Sequence, residues 1–138
     1  MQSKAIIPCL KYRDAPAAIE WLGRAFGFEK HLVVPDESGG ITHAQLHLGR
    51  AMIVMGSERE GREYDALVKA PKAGEACTQS VYVVVDEVDA LFERAKQAGA
   101  QIVMEPTDQD YGGRDFTCSD PEGHVWSFGT YDPWSSES

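Results

Sequence analysis

The stretch Val81-Tyr82-Val83-Val84-Val85-Asp86, followed by Gly99-Ala100-Gln101-Ile102-Val103-Met104, decides how this chain is read, because the chain says it twice. The earlier copy is Ile6-Ile7-Pro8-Cys9-Leu10-Lys11-Tyr12, then Asp14, then Gly27-Phe28-Glu29-Lys30-His31-Leu32-Val33-Val34. In each copy an Asp closes an apolar run, and thirteen residues later a Gly opens another; the two copies lie 72 residues apart. A unit stated twice in 138 residues points to two modules that bury one surface together.

Between each Asp and its Gly lies a stretch with the helical period. Ala18, Ile19, Leu22, Ala25 and Phe26 form one apolar stripe, with Asp14 as N-cap and Pro16 in the first turn. Gly27 suits the left-handed turn that ends this helix. Val88, Leu91, Phe92 and Ala95 form the matching stripe of a helix over 88–98. Strands are expected at 5–12, 28–34, 41–48 and 51–55, and again at 80–85, 100–105, 114–119 and 124–130. Residues 106–113 read as a loop and Asp120-Pro121-Glu122-Gly123 as a β-turn.

The polar segment 57–78, broken by Gly61, Pro71 and Gly74, reads as a linker with one helical turn at 65–68. Module one then covers about 4–56, module two about 79–131, and a tail 132–138 ends in Ser-rich residues expected to be disordered. Each module is β-α-β-β-β, and its hairpin-linked strands should be antiparallel. The expected fold is α+β: two tandem βαβββ modules in a single domain. A sheet backed by one helix leaves its other face open, and two such faces can close around a cleft.

Composition bounds the partners. A hydrophobic share of 43% beside 25% charged residues is an ordinary globular balance, sufficient for a real core. The formal charge of −9 argues against nucleic acid or an anionic membrane surface as partner. No apolar run approaches the ~20 residues of a membrane span, and the N-terminus lacks the apolar core of a secretion signal. Cys9, Cys77 and Cys118 follow no metal or redox spacing, which fits small hydrophobes in a reducing cytoplasm.

The doubled module, the Asp120-Pro121-Glu122-Gly123-His124 turn before an aromatic-rich last strand, and the helix entry Val85-Asp86-Glu87-Val88-Asp89-Ala90-Leu91 belong together. In this combination the chain resembles the vicinal oxygen chelate superfamily, which includes glyoxalase I, extradiol dioxygenases, fosfomycin-resistance proteins and bleomycin-binding proteins. The segments His43-Ala44-Gln45-Leu46-His47-Leu48-Gly49 and Tyr111-Gly112-Gly113-Arg114-Asp115-Phe116 are most similar to the poorly characterised glyoxalase/bleomycin-resistance-like proteins of bacteria.

The resemblance also implies where a metal would be held. One position lies six residues before each Asp, at Pro8 and Ser80. The other lies four residues after each turn Gly, at Ser127 and at Ile53, the last within one residue (Met52 or Val54). Pro and Ile cannot ligate a hard divalent ion, and Ser is a poor ligand beside His or carboxylate. The expectation is therefore the superfamily's fold without its metal, and no cofactor.

Alternation places His43, Gln45 and His47 on one face of their strand, opposite Ala44, Leu46 and Leu48. Histidines four apart on a strand stand ~13 Å apart, too far to share one ion. One of them would need partners such as Glu105 or Asp115. Otherwise they are polar residues of a solvated face, or His43 is a hydrogen-bonding or acid–base group of a ligand cleft. By the same alternation Ser80, Tyr82 and Val84 face the cleft, as does Ser127, while Trp126 and Phe128 pack behind the sheet. Tyr82 either contacts a ligand or fills an inter-module core. Arg114 either grips an anionic group or pairs with a surface carboxylate. Trp134 covers a cleft mouth or a partner subunit, or belongs to a loose tail.

The expected function is binding of a small organic molecule in an inter-module cleft walled by His43, Gln45, His47, Tyr82, Ser127, Arg114 and Trp134, without the usual metal ligands. Two alternatives stand beside it. One is a lyase or isomerase using a displaced metal site or a His43 base. The other is a scaffold whose groove only makes a dimer. The resemblance implies a homodimer.

Overall fold

Over residues 1–135, which the computed structural model describes, eight strands and three helices follow one another as β-α-β-β-β-α-β-α-β-β-β. The disorder expected of the Ser-rich end falls on 136–138, outside the described residues. The elements are β1 (Cys9–Tyr12), α1 (Ala15–Phe26), β2 (Glu29–Pro35), β3 (Ile41–Leu48), β4 (Ala51–Ser57), α2 (Glu63–Leu67), β5 (Val81–Val84), α3 (Val88–Gln97), β6 (Gln101–Asp108), β7 (Arg114–Ser119) and β8 (Val125–Gly129). The class is α+β, built from two βαβββ modules. By contacts the chain divides into two compact units, 1–23 with 27–70, and 24–26 with the chain from 71 onward.

Each unit carries one four-stranded sheet, ordered β1-β4-β3-β2 in the first and β5-β8-β7-β6 in the second. The hairpins β2–β3 and β3–β4, like β6–β7 and β7–β8, are antiparallel. The helical crossover carries the chain past the sheet, so β1 pairs in parallel with β4, and β5 with β8. Both sheets are thus mixed.

Local chemistry sets the helix boundaries. The Asp14 carboxylate accepts from Ala17 N at 3.2 Å, capping α1, and Gly27 ends it in the left-handed conformation at φ 86°. In the second unit the N-cap is Glu87, one residue beyond Asp86, and it makes no side-chain cap bond.

The strand limits differ most from the alternation pattern at β1 and β6. β1 starts at Cys9, and Ile6 is 94% exposed, so the apolar run overstates the strand. β6 runs on to Asp108 through Pro106, where a loop was expected. A proline is tolerated there because β6 is an edge strand, and its register shifts between Met104 and Thr107.

Each sheet buries one face. In the first unit this face carries Tyr12, Ala44, Leu46, Ile53 and Met55, with Ile19, Trp21 and Leu22 of α1 also buried. In the second it carries Val83, Phe116, Cys118, Trp126 and Phe128, with Phe92 and Ala95 of α3. Phe26, grouped with this unit, sits 4.6 Å from the Phe128 ring and 5.3 Å from Trp126 between centroids, a tilted aromatic cluster. The β7–β8 turn is fastened to that cluster. Asp120 Oδ1 accepts from Glu122 N and His124 N, and Oδ2 from the buried indole Nε1 of Trp126 at 3.1 Å. The Asp-Pro-Glu-Gly-His sequence therefore does structural work.

Candidate functional site

The faces opposite the buried ones are half-exposed, and they carry most of the residues singled out in the sequence. In the first unit, β3 presents His43, Gln45 and His47 to this side, while Ala44 and Leu46 point into the core. Registry places Val54 beside both Gln45 and Cys9. Gln45 Nε2 lies 3.0 Å from His43 Nε2. With the Gln45 amide donating, neutral His43 carries its proton on Nδ1 and offers a donor to the face. His47 lies between two acceptors, with Nδ1 3.2 Å from the Gly49 carbonyl and Nε2 3.4 Å from Glu29 Oε2, and its single N–H in the neutral ring serves one of them.

A pocket of about 230 Å³ opens on this face, lined by Cys9, Lys11, His43, Val54 and Tyr64 among others. Lys11 is its fixed cation. Its ammonium lies 3.0 Å from Asp65 Oδ1, 3.4 Å from the Ser57 carbonyl and 5.2 Å over the Tyr64 ring. The Lys11 hydrogen bond, set against the cost of burial, holds the Asp65 carboxyl below the ordinary carboxylate range. Sequence periodicity missed Lys11 and Asp65, because the pair joins a strand to a helix far along the chain. Cys9, expected to act as a small hydrophobe, is exposed. Counting alternation back from buried Tyr12 would have placed both Cys9 and Lys11 on the open side.

In the second unit the open face carries Tyr82, Asp115, Thr117 and Ser127. Ser127 Oγ and Thr117 Oγ1 share a hydrogen bond of 2.7 Å. Tyr82 donates to the Tyr131 carbonyl at 2.7 Å. Asp115 accepts from Gln109 Nε2 at 2.9 Å and from the Tyr111 hydroxyl at 3.3 Å, and the Tyr111 and Tyr131 rings meet edge to face at 5.2 Å. Burial, and then the Asp115 charge, push the Tyr82 and Tyr111 hydroxyls above the ordinary phenol range, so both are neutral donors at neutral pH. Gly129 makes this packing possible: a Cβ there would stand 2.6 Å from the Tyr82 hydroxyl and 2.8 Å from Asp115 Cβ.

The other two sequence candidates lie apart from these contacts. Arg114 is engaged by Asp89 of α3, with Nη2 3.0 Å from Oδ1 and Nε 3.2 Å from both oxygens, and by Asp108 at 3.2 Å. Trp134 is 95% exposed, its backbone N–H on Asp132.

The positions at which the resemblance places metal ligands need one adjustment. Spacing from Asp14 points to Pro8 and spacing from Gly49 to Ile53, within one residue, but Ile53 is buried in the core. The residues on the open side are Cys9 and Val54. Of Cys9, Val54, Ser80 and Ser127, only Cys9 is a ligand of the usual kind, and His43 lines the same pocket. Among the described residues no three His, Cys, Asp or Glu side chains come together in a way that could hold a metal ion. That donor set does not fit a divalent ion. No described helix is long and apolar enough to cross a membrane.

Comparison with known proteins agrees with this architecture. The structure of TioX from Micromonospora sp. ML1 superposes with a TM-score of 0.71 at 33% sequence identity, covering 92% of this chain and 98% of that one. An uncharacterised protein of Mycobacterium tuberculosis is 32% identical over 125 residues, 91% of this chain and 73% of the relative. The fosfomycin resistance protein FosX from Listeria monocytogenes, complexed with Mn(II) and sulfate, shares the fold over the full length of both chains, with a TM-score of 0.71 at 16% identity. The profile of the Glyoxalase/Bleomycin resistance protein/Dioxygenase superfamily matches residues 9–128, and the chain belongs to that superfamily.

Proposed function

We propose that this protein binds a small organic molecule on the open faces of its sheets and does so without the metal used by other members of the fold. The observation that carries the reading is the character of the first unit's open face. It is half-exposed, and it gathers a donor (His43, its ring held by the Gln45 amide), a fixed cation (Lys11), an aromatic ring (Tyr64) and apolar Val54 around one pocket. Mixed apolar and directional polar lining is what orients a small ligand. On the second unit Tyr82, Ser127 and Asp115 offer a similar mixture.

The lone pair of His43 Nε2 is engaged by Gln45, which favours His43 as a binding group over His43 as a base. Exposed Leu32 and Val34 on edge strand β2, together with Val84, Val103 and Met104 in the second unit, support the expected homodimer, which light scattering on the purified chain would test.

The direct test is native mass spectrometry and metal analysis of protein purified without added metal. An organic adduct whose crystal density lies on these faces, lost in His43→Ala with folding intact, is the expected result. A stoichiometric divalent ion bound at His43 or Cys9 would sink the reading and favour metal-dependent chemistry.

A further inference from the structure

We propose that the second unit recognises an organic ammonium group, held over the rings of Tyr82, Tyr111 and Tyr131 and against the Asp115 carboxylate. The inference deepens the ligand-binding reading and rests on it.

The first argument is the distribution of charge. The second unit carries thirteen Asp and Glu against five Lys and Arg, whereas the first carries nine against eight. Nearly all of the net charge of −9 therefore belongs to one unit. That unit generates a field that draws cations and repels anions.

The second argument is local. Asp115 is half-buried, and its hydrogen bonds come from the neutral groups of Gln109 and Tyr111. The neighbouring cation, Arg114, is committed to Asp89 and Asp108. Asp115 is thus a carboxylate without a cationic partner among the described residues. The charged carboxylates that act on Tyr82 are Asp115 and Asp132. A ligand placed here meets negative potential from both.

The third argument is the rings. Tyr111 and Tyr131 stand at 84° to each other, presenting an edge to a face, and Tyr82 joins them through its bond to the Tyr131 carbonyl. Tyr82 is 42% exposed and Tyr111 59%, so a ligand can reach them. Aromatic faces carry negative quadrupole density, and an alkylammonium ion, being weakly hydrated and apolar at its rim, is the cation they hold best. Such an ion would supply the counter-charge that Asp115 lacks.

The test compares three probes sharing one ring: benzyltrimethylammonium, benzyl alcohol and phenylmethanesulfonate. Each is titrated into the ¹⁵N-labelled full chain, with the amides of Gly129, Thr130 and Tyr131 as reporters. The cation should shift these amides and bind about three- to ten-fold more tightly than the alcohol, with added salt weakening it and the sulfonate inactive. Asp115→Asn should remove most of that preference, and Tyr111→Leu should weaken the cation more than the alcohol. Equal binding of cation and alcohol at these amides would overturn the ammonium assignment and leave small-molecule binding standing. Shifts confined to other amides, or none with any probe, would also overturn it, while the broader reading is judged separately by the adduct that copurifies.

Discussion

The ammonium of Lys11 on β1 lies 3.0 Å from Oδ1 of Asp65 on α2, with side-chain exposures of 14% and 4%. This nearly buried ion pair anchors a five-residue helix that has no side-chain N-cap and would not persist alone. Breaking a buried pair is worse than replacing it, because the surviving charge is left without compensation. Asp65→Ala should therefore lower the urea midpoint further than the double variant Lys11→Met/Asp65→Leu. It should also open the segment between β4 and β5 to limited proteolysis. If the double variant is the less stable, the pair contributes net stability beyond its own desolvation.

The same carboxylate, with Asp36, sets how the first unit responds to acid. Asp36 accepts backbone bonds from Gly40 and Ser38 and pairs with Arg59; Asp65 pairs with Lys11. Both sit below the ordinary value of 3.8, Asp36 chiefly through the Gly40 bond and Asp65 chiefly through Lys11. In that window the unfolded chain binds more protons than the folded one. Their contribution is thus complete above the ordinary value and is lost as pH falls through the depressed folded values. Urea midpoints should hold between about pH 6 and about pH 5 and drop toward about pH 3. In Asp36→Asn the drop should be shallower.

Asp120 offers a sharper test of how the last hairpin is held. Its carboxylate closes the turn through two backbone N–H groups and satisfies the Trp126 indole. Asp120→Ala strands a buried indole donor and should cost about 3 kcal/mol in unfolding experiments. Asp120→Asn turns an amide donor toward the indole N–H if the turn bonds are kept, so it should destabilise as well. Adding Trp126→Phe should then cost less in the Asn background than in the parent.

These contacts show how far the sequence alone could be read. Repeated spacing and turn chemistry are local signals, and they suffice for two βαβββ modules and for His43, Gln45 and His47 sharing one side of β3. Counting from Asp14 instead of from a buried anchor such as Tyr12 put Pro8 where Cys9 faces the open side, and counting from Gly49 centred the other position on Ile53, next to the open-side Val54. The Lys11–Asp65 pair and the Tyr82–Asp115–Tyr111 cluster join residues from separate elements, so no periodicity within one element could reveal them. Pro106 looked like a breaker because a strand at a sheet edge cannot be told from a loop before the strand order is known.

The three thiols should separate cleanly. Cys9 is exposed, Cys77 donates to the Gly123 carbonyl at 3.2 Å, and Cys118 is fully buried with its thiol pushed up to about 12, first by desolvation and then by Asp120. Near pH 8 the native protein should therefore release thionitrobenzoate from Ellman's reagent fastest at Cys9, more slowly at Cys77, and at Cys118 only on unfolding. Labelling of Cys118 in the folded state would mean that the second core opens readily. Modification of Cys9 should also block any ligand of the first unit's pocket, because the thiol lines it.

The tightest constraint on the second unit's open face is a missing side chain. Gly129 pairs with Asp115 across β7 and β8, and a Cβ at that position would meet Tyr82 on one side and Asp115 on the other. The Tyr82 hydroxyl can swing away, at the loss of its bond to Tyr131, but Asp115 Cβ is fixed to its strand. Gly129→Ala should thus destabilise by about 1–3 kcal/mol, the range for overpacking. Tyr82→Phe should recover only part of the loss, since it removes the hydroxyl contact and leaves the one with Asp115. Full recovery would mean that Tyr82 alone requires the glycine. No loss in Gly129→Ala would show that β7 and β8 can part at this pair, and the alignment of Tyr82 with Asp115 would then not be rigid.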